Sequence, residues 1–379
     1  MAQISTVKTD RRRQRAISYN SEQQKSFVND QNPALQTDTL FEKRYLIVKQ
    51  LKIGGFGQIY EALDLVSKNR VAIKVENMEE VTPGTFPSPM EWQVLKKYAQ
   101  SPNCPKTYGF FVKTKHTFIV MQLLGPNLNE LKRKCCLKPQ RMSMSCSLKV
   151  LMQCLWAIEG LHGLGYLHRD IKPTNFVVGL GREFENRIYL IDFGLCRYFL
   201  DKNGQSRPER KSLGFRGTVR YASLNAHDEK DLSRRDDLLS LIYSFQELLF
   251  GTLPWHNLTD KAAVAVLKRK FPIETLCQEI RTPKGVTDFL ASVKKLTFAG
   301  IPDYTAMVKS LTVALINTGE IAELDYDWQM ASCYRRKHAP AEEVQAKLPN
   351  KIVIGSISKL VSASLSVAVK STHIPMKKT

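Results

Sequence analysis

Three short constellations hold side chains that could move a phosphoryl group. In the run from His168 to Asn175, Asp170 offers a carboxylate, Lys172 an ammonium and Asn175 an amide oxygen. A carboxylate so placed can orient or deprotonate an attacking hydroxyl. Lys172 can neutralise charge on a travelling phosphoryl group, and Asn175 can ligate a metal ion. Asp192, followed by Phe193 and Gly194, comes after the apolar run Tyr189, Leu190 and Ile191. Its carboxylate suits Mg²⁺, a hard cation that takes oxygen ligands and bridges phosphates. Lys74 closes the run Val71, Ala72, Ile73, where an ammonium can hold the α- and β-phosphates of ATP. Each constellation alone has an ordinary explanation: a loop, a surface cluster, a solvated lysine at a strand edge. All three in this order leave coincidence a chance of about one in a hundred.

These residues need elements to position them. Tyr45 to Lys52, Gln58 to Ala62, Asn69 to about Glu76 and Thr117 to Met121 read as strands. Between the last two, Ser88 and Pro89 predict a helix start, with Ser88 as N-cap and Pro89 first in a helix running to about Ala99. Gly125 and Pro126 then break the chain. Met142 to Leu164 carries Leu148, Leu151, Met152, Leu155 and Ile158 at helical spacing. A loop from Gly165 to Phe193 holds two of the constellations. Helices are expected over 233–249, over 260–270 and beyond Gly285. A strand-rich first third and a helix-rich remainder predict an α+β bilobed fold with a cleft between the lobes.

The segment Gly214 to Ser223 (GFRGTVRYAS), with Leu224 to His227, resembles the tau-tubulin kinases within the casein kinase 1 group of protein kinases. That group uses such a segment where other kinases carry Ala-Pro-Glu. Arg234 to Leu238, Ser240 with Leu241, and Leu253 to Trp255 are similar to the same group. The resemblance covers roughly Phe41 to Trp328. It implies a small β-rich N-lobe, a larger helical C-lobe, ATP and Mg²⁺ as cofactors, and transfer of the γ-phosphoryl group to protein Ser/Thr. Lys172 fits the Ser/Thr choice. By the same resemblance Met121 falls at the gatekeeper position and Gln122, Leu123 and the residues to Gly125 form the hinge that meets adenine. Ala72 joins the ATP site, Asp237 braces the catalytic loop, and Asp192 with Asn175 holds metal. Activity without activation-loop phosphorylation is expected, as is a preference for acidic or already phosphorylated sites. Arg216 and Arg220 flank the place such a substrate would occupy. They can fork onto a phosphate or pair within their own loop, and the residues leave both readings open.

Glu91, by match and by spacing, is the expected ion-pair partner of Lys74. A capping box with Ser88 competes for it. Glu76 is the fallback partner, less favoured because it stays on the strand. The glycine loop departs from the family: Ile53, Gly54, Gly55, Phe56 and Gly57 lack two residues and the first glycine of GxGxxG. Either Gly54 and Gly55 form a tight hairpin turn, covering the phosphates less fully, or a bulge at Lys52 and Ile53 restores the reach. Cys196 is expected to be a small packed residue, with a reactive cleft thiol as the alternative.

Composition bounds the rest. The 379 residues suit two lobes and tails, and none of the eight cysteines forms a CxxC pair. Reduced thiols and an N-terminus without an apolar h-region predict a cytoplasmic protein, with the nucleus as alternative. No 18-residue apolar stretch predicts a membrane span. The net charge of +20 favours acidic partners, although a basic solubilising surface explains it equally well. No aromatic-interleaved basic run supports nucleic-acid binding. Residues 1–40 read as a polar arm with a basic run at 11–15, 41–328 as the kinase domain, and 329–379 as a basic tail. The stretch 351–370 has enough alternation to add a strand to a partner. Protein substrates are the expected partners, and oligomeric state is left open. A pseudokinase scaffold, motivated by the short glycine loop, is the rival function.

Overall fold

The computed structural model describes residues 33–54, 57–77, 89–113, 116–134, 140–181, 183–211, 214–279, 282–319 and 325–330. Residues 1–32 of the arm, with the basic run at 11–15, and Ser88, Gly55, Phe56 and the strand-like stretch at 351–370 lie outside the described residues. The end of the expected arm, 33–40, instead belongs to the folded domain, with Leu40 in a strand and Ala34 and Leu35 packed against the sheet's core.

The N-terminal region is one antiparallel sheet. Its strands are β1 (Leu40–Phe41), β2 (Tyr45–Gly54), β3 (Gly57–Asp64), β4 (Arg70–Asn77), β5 (Thr107–Lys113) and β6 (His116–Gln122), in the order β1-β2-β3-β4-β6-β5. Strand alternation separates its two faces. Val71, Ile73 and Val75 enter a core with Tyr45, Ile47, Tyr60, Phe118 and Val120. Ala72, Lys74 and Glu76 therefore share the opposite face. Helix α1 (Met90–Tyr98) packs its Val94, Leu95 and Tyr98 into a second core that continues through the rest of the protein.

That rest is helical: α2 (Leu128–Lys134), α3 (Met144–Gly163), α4 (Leu224–His227), α5 (Arg234–Phe250), α6 (Lys261–Lys270), α7 (Ile273–Glu279), α8 (Lys284–Lys294), α9 (Tyr304–Ile316) and α10 (Asp327–Met330). Ser143 caps α3 by accepting from the Cys146 N–H, and Asp260 caps α6 through the Ala263 N–H. The expected loop after α3 contains short strands, β7 (Tyr166–Leu167), β8 (Phe176–Val178) and β9 (Ile188–Leu190), and β7 pairs with β10 (Arg197–Tyr198) further on. This is the bilobed α+β fold that the pattern predicted.

Three local expectations need correction. Pro89 is the cap of α1 and not its first residue: its ψ of 145° is extended, so the helix begins at Met90 without a side-chain cap. Glu91 is thus free to face Lys74. In the β2–β3 hairpin, Gly54 stands opposite Gly57, so Gly54 belongs to the strand pairing and not to the turn. No bulge falls at Lys52 and Ile53, which pair with Ile59 and Gln58. The register instead skips Val48 and Leu51. Gly57 has φ +123°, and because a Cβ there would lie 2.1 Å from the Val75 carbonyl oxygen, only glycine lets the start of β3 lie this close to β4.

Candidate active site

Lys74 is the first anchor. Its ammonium contacts the Glu91 carboxylate, lies 2.9 Å from Glu76 Oε1, and reaches Asp192 Oδ1 at 3.4 Å. Both contenders for its partner are therefore engaged. Glu76 was disfavoured for staying on the strand, yet two-residue alternation points it along the same face as Lys74. Burial would lower the Lys74 pKa, but Glu91, Glu76 and Asp192 outweigh it and hold the ammonium protonated. Burial raises Glu91 to about 8, with Glu76 and Asp192 adding to it against Lys74. Three carboxylates around one ammonium form a cluster short of positive charge.

Asp192 sits at φ 68°, ψ 67°, a left-handed conformation uncommon for a residue with a side chain. Phe193, 1% exposed, holds it there by packing edge-on against Tyr98 and His168. His168 Nε2 donates to the Ile191 carbonyl at 3.1 Å while its Nδ1 accepts from the Asp170 N–H at 3.3 Å, which requires the Nε2–H tautomer. Burial pushes Asp192 up, and the charges of Lys74 and Lys172 overcome it, so its pKa is lowered.

The second anchor is Asp170. Its Oδ2 accepts from Lys172 Nζ at 2.6 Å and its Oδ1 from the Thr218 hydroxyl at 2.7 Å. Lys172 also donates to Thr218 Oγ1 at 3.1 Å. Asn175 Nδ2 donates to the Asp170 carbonyl at 2.9 Å, which leaves its Oδ1 as an oxygen donor for a metal. Thr218 was not foreseen; its signal lay in the preceding glycine. Gly217 has φ +98°, and a Cβ there would approach the Arg169 carbonyl oxygen to 2.6 Å. Only glycine lets this segment come close enough for Thr218 to reach Asp170.

Asp237, on the first turn of α5, supports this loop as expected. Its Oδ2 accepts from the His168 N–H at 2.8 Å and from His162 Nε2 at 2.9 Å; its Oδ1 accepts from the Arg169 N–H at 2.8 Å. Arg169 has φ 67°, so the two amides fix a strained residue beside the reacting carboxylate. Burial raises Asp237, but the hydrogen bonds from His162 and the His168 N–H more than offset it and lower its pKa. Asp237→Asn is expected to cut turnover about 10- to 100-fold through misplacement of Asp170, with KM for ATP changed much less. The lowered pKa carries a second outcome. Asp237 contributes stability above the unfolded carboxylate value of about 3.9, lost as pH falls through the folded value. Urea unfolding of the Asn variant should therefore weaken less steeply on the acid side than that of wild type.

The other expected residues fall out as follows. Ala72 stands opposite Met121 across β4 and β6, and Gln122 opposite Val71. Leu123 is buried, and the Gly125 N–H donates to the Val178 carbonyl at 2.9 Å. Ile53 and Gly54 end β2, with Ile53 exposed. Cys196 is 3% exposed, and burial raises its thiol well above the usual value, so it is a packed residue. Arg220 pairs with Glu247 at 3.4 Å and donates to the His256 carbonyl at 2.7 Å, with about a third of its side chain exposed. Arg216 donates to the Phe215 carbonyl at 3.0 Å and makes no ion pair among the described residues. It lies near Arg169, which burial and then the Arg197 and Arg216 charges bring to about 10.

Residues 45–299 match the protein kinase domain family. The chain belongs to the protein kinase family. It is 36% identical over 303 residues to a Dictyostelium discoideum protein named "Probable serine/threonine-protein kinase", covering 79% of this chain and 59% of that relative. It is 32% identical over 308 residues to casein kinase I homolog 1 of Saccharomyces cerevisiae, covering 79% and 56%, and 33% identical over 298 residues to casein kinase I homolog 2, covering 76% and 53%. These likenesses support the casein kinase 1 group. The chain spans between half and two thirds of the length of these relatives. Membership of the kinase family carries with it the general use of ATP and Mg²⁺, and no helix among the described residues is long and apolar enough to cross a membrane.

Proposed function

We propose that this protein transfers the γ-phosphoryl group of ATP to Ser or Thr of protein substrates, in the manner of the tau-tubulin branch of the casein kinase 1 group, and favours acidic or already phosphorylated sites. The observation that carries the reading is Asp170 held between Lys172 and Thr218 while Lys74, Glu91 and Asp192 stand together as a second cluster. Asp170 would take up the proton of the attacking hydroxyl as its oxygen bonds to phosphorus and the bond to ADP breaks. Lys172 would offset charge on the transferring group. Asp192 and the Asn175 amide oxygen fit Mg²⁺, since the Lys74 cluster carries surplus negative charge and Mg²⁺ takes one or two protein oxygens beside phosphates and water. The bound metal would supply charge neutralisation of the phosphates. Lys74, aligned by Glu91, would grip the nucleotide. Arg216, free of a carboxylate partner among the described residues, supports the acidic preference, as does the net charge of +20. A cytoplasmic or nuclear site of action fits the reduced thiols.

The test is radiolabelled transfer to casein and to an acidic Ser/Thr peptide, with Asp192→Ala as control. Transfer lost in the variant supports the reading. A folded wild type that transfers nothing at any ATP level would favour the scaffold alternative, for which the pairing of Gly54 with Gly57 in a glycine loop two residues short is the specific observation. Glu76 offers a finer check. Its carboxylate competes with nucleotide phosphate for Lys74, so Glu76→Gln should lower KM for ATP by roughly tenfold, about 1.4 kcal/mol, with little change in turnover. A higher KM would instead make Glu76 a positioning partner of Lys74.

A further inference from the structure

Lys268 on α6 is 0% exposed and forms no ion pair among the described residues. Its ammonium donates to the Val219 carbonyl at 2.9 Å and the Ala222 carbonyl at 2.6 Å, and lies 3.2 Å from His227 Nε2. The rings of Tyr243 and Trp255 face it at 4.7 and 5.3 Å. Nothing in phosphoryl transfer requires a lysine at this place, and burying an unpaired ammonium costs several kcal/mol unless the site repays it. What it reaches is the segment that presents Thr218 to Asp170. Val219 directly follows Thr218, and Ala222 precedes Ser223, which caps α4 by accepting from the Ala226 N–H. The Trp255 indole N–H donates to the Arg220 carbonyl at 2.9 Å from the same side. Three carbonyls within four residues are thus held from beneath.

We propose that Lys268 is a positioning residue for the protein acceptor: it fixes the backbone of 218–222 so that Thr218 stays registered on Asp170 and the acceptor hydroxyl meets a formed site. This rests on the kinase reading. Burial brings the Lys268 pKa down to about 6, and His227 is brought down to about 4 by burial and then by the Lys268 charge. The carbonyl contacts survive either state, because a neutral amine keeps two N–H donors for two carbonyls and can accept from His227 Nε2–H. The grip therefore holds at neutral pH without a counter-ion.

The test compares Lys268→Met, which fills the same tunnel without donors, with Lys268→Arg, which keeps them. In the full chain, the Met variant is expected to lose about 10- to 100-fold in kcat/KM for a Ser/Thr peptide. KM for ATP and the slow hydrolysis of ATP by water should remain within about twofold of wild type, since water needs no acceptor platform. The Arg variant should recover most of the loss. Amide hydrogen exchange over 217–224 should rise in the Met variant and leave the Lys74 strand unchanged, a readout independent of catalysis. Unchanged peptide kcat/KM, or a parallel fall of peptide and ATP parameters, overturns the proposal. If the Met variant does not fold, Lys268→Gln replaces it, with an intermediate peptide loss expected and wild-type peptide kinetics again overturning the proposal. Absence of transfer by wild type would instead sink the kinase reading, and the exchange measurement would still judge Lys268.

Discussion

Asp170→Asn is expected to lower phosphoryl transfer to a Ser/Thr peptide by about 10²- to 10⁴-fold, the range of a positioned general base. Two effects add. The amide no longer takes up the proton of the attacking hydroxyl. It also presents one oxygen where two donors now arrive, so the Thr218 hydroxyl must reverse from donor to acceptor or Lys172 must turn away. Asp170 does not touch the Lys74 cluster, which contacts Glu91, Glu76 and Asp192. KM for ATP should therefore move by no more than a few-fold. Steady-state kinetics at saturating Mg²⁺ separate the two: a loss confined to turnover fits the assigned role. Turnover above a tenth of wild type would remove Asp170 from the chemistry, and an equal loss in ATP affinity would point to a collapsed loop.

Much of this site was legible because chemistry forces residue types into fixed spacing. Lys74, Asp170, Asn175 and Asp192 could be named from the chain alone, and the alternation of β4 placed Lys74 on the face opposite the core. The β2–β3 register was less legible. A hairpin of Gly54, Gly55, Phe56 and Gly57 can close in more than one register, and only the pairing of Gly54 with Gly57 decides it. The start of α1 was ambiguous for a related reason, since Ser88 and Pro89 both suit a helix start and the extended ψ of Pro89 resolves it. Thr218, Glu247 and Lys268 escaped notice because their partners lie far along the chain: Thr218 is 48 residues from Asp170, Glu247 is 115 from Lys132, and Lys268 is 49 from Val219. No local period records a contact of that kind. The partner of Arg220, Glu247, was hidden in the same way, 27 residues further along the chain.

Glu247→Ala should destabilise the fold by about 3–5 kcal/mol, the cost of stranding a buried charge. Glu247 is 3% exposed, and its Oε1 accepts from Lys132 Nζ at 3.0 Å and Arg220 Nη1 at 3.4 Å, its Oε2 from the Tyr221 hydroxyl at 2.5 Å. Lys132, 4% exposed, would keep only the Gly251 carbonyl at 2.9 Å. Removing both charges together should behave differently. Lys132→Met with Glu247→Met replaces an ion pair by packed side chains, a change that is often neutral or stabilising, so urea unfolding should return close to wild type. Function should not return with it. Arg220 and Tyr221 flank the backbone held by Lys268 and Trp255, and in the double variant both lose the carboxylate that anchors their side chains. Peptide kcat/KM should stay at least about tenfold low at wild-type stability. A double variant that recovers both would confine Glu247 to neutralising Lys132. One that recovers neither would show that the Tyr221 and Arg220 bonds, and not the buried ammonium, dominate the cost.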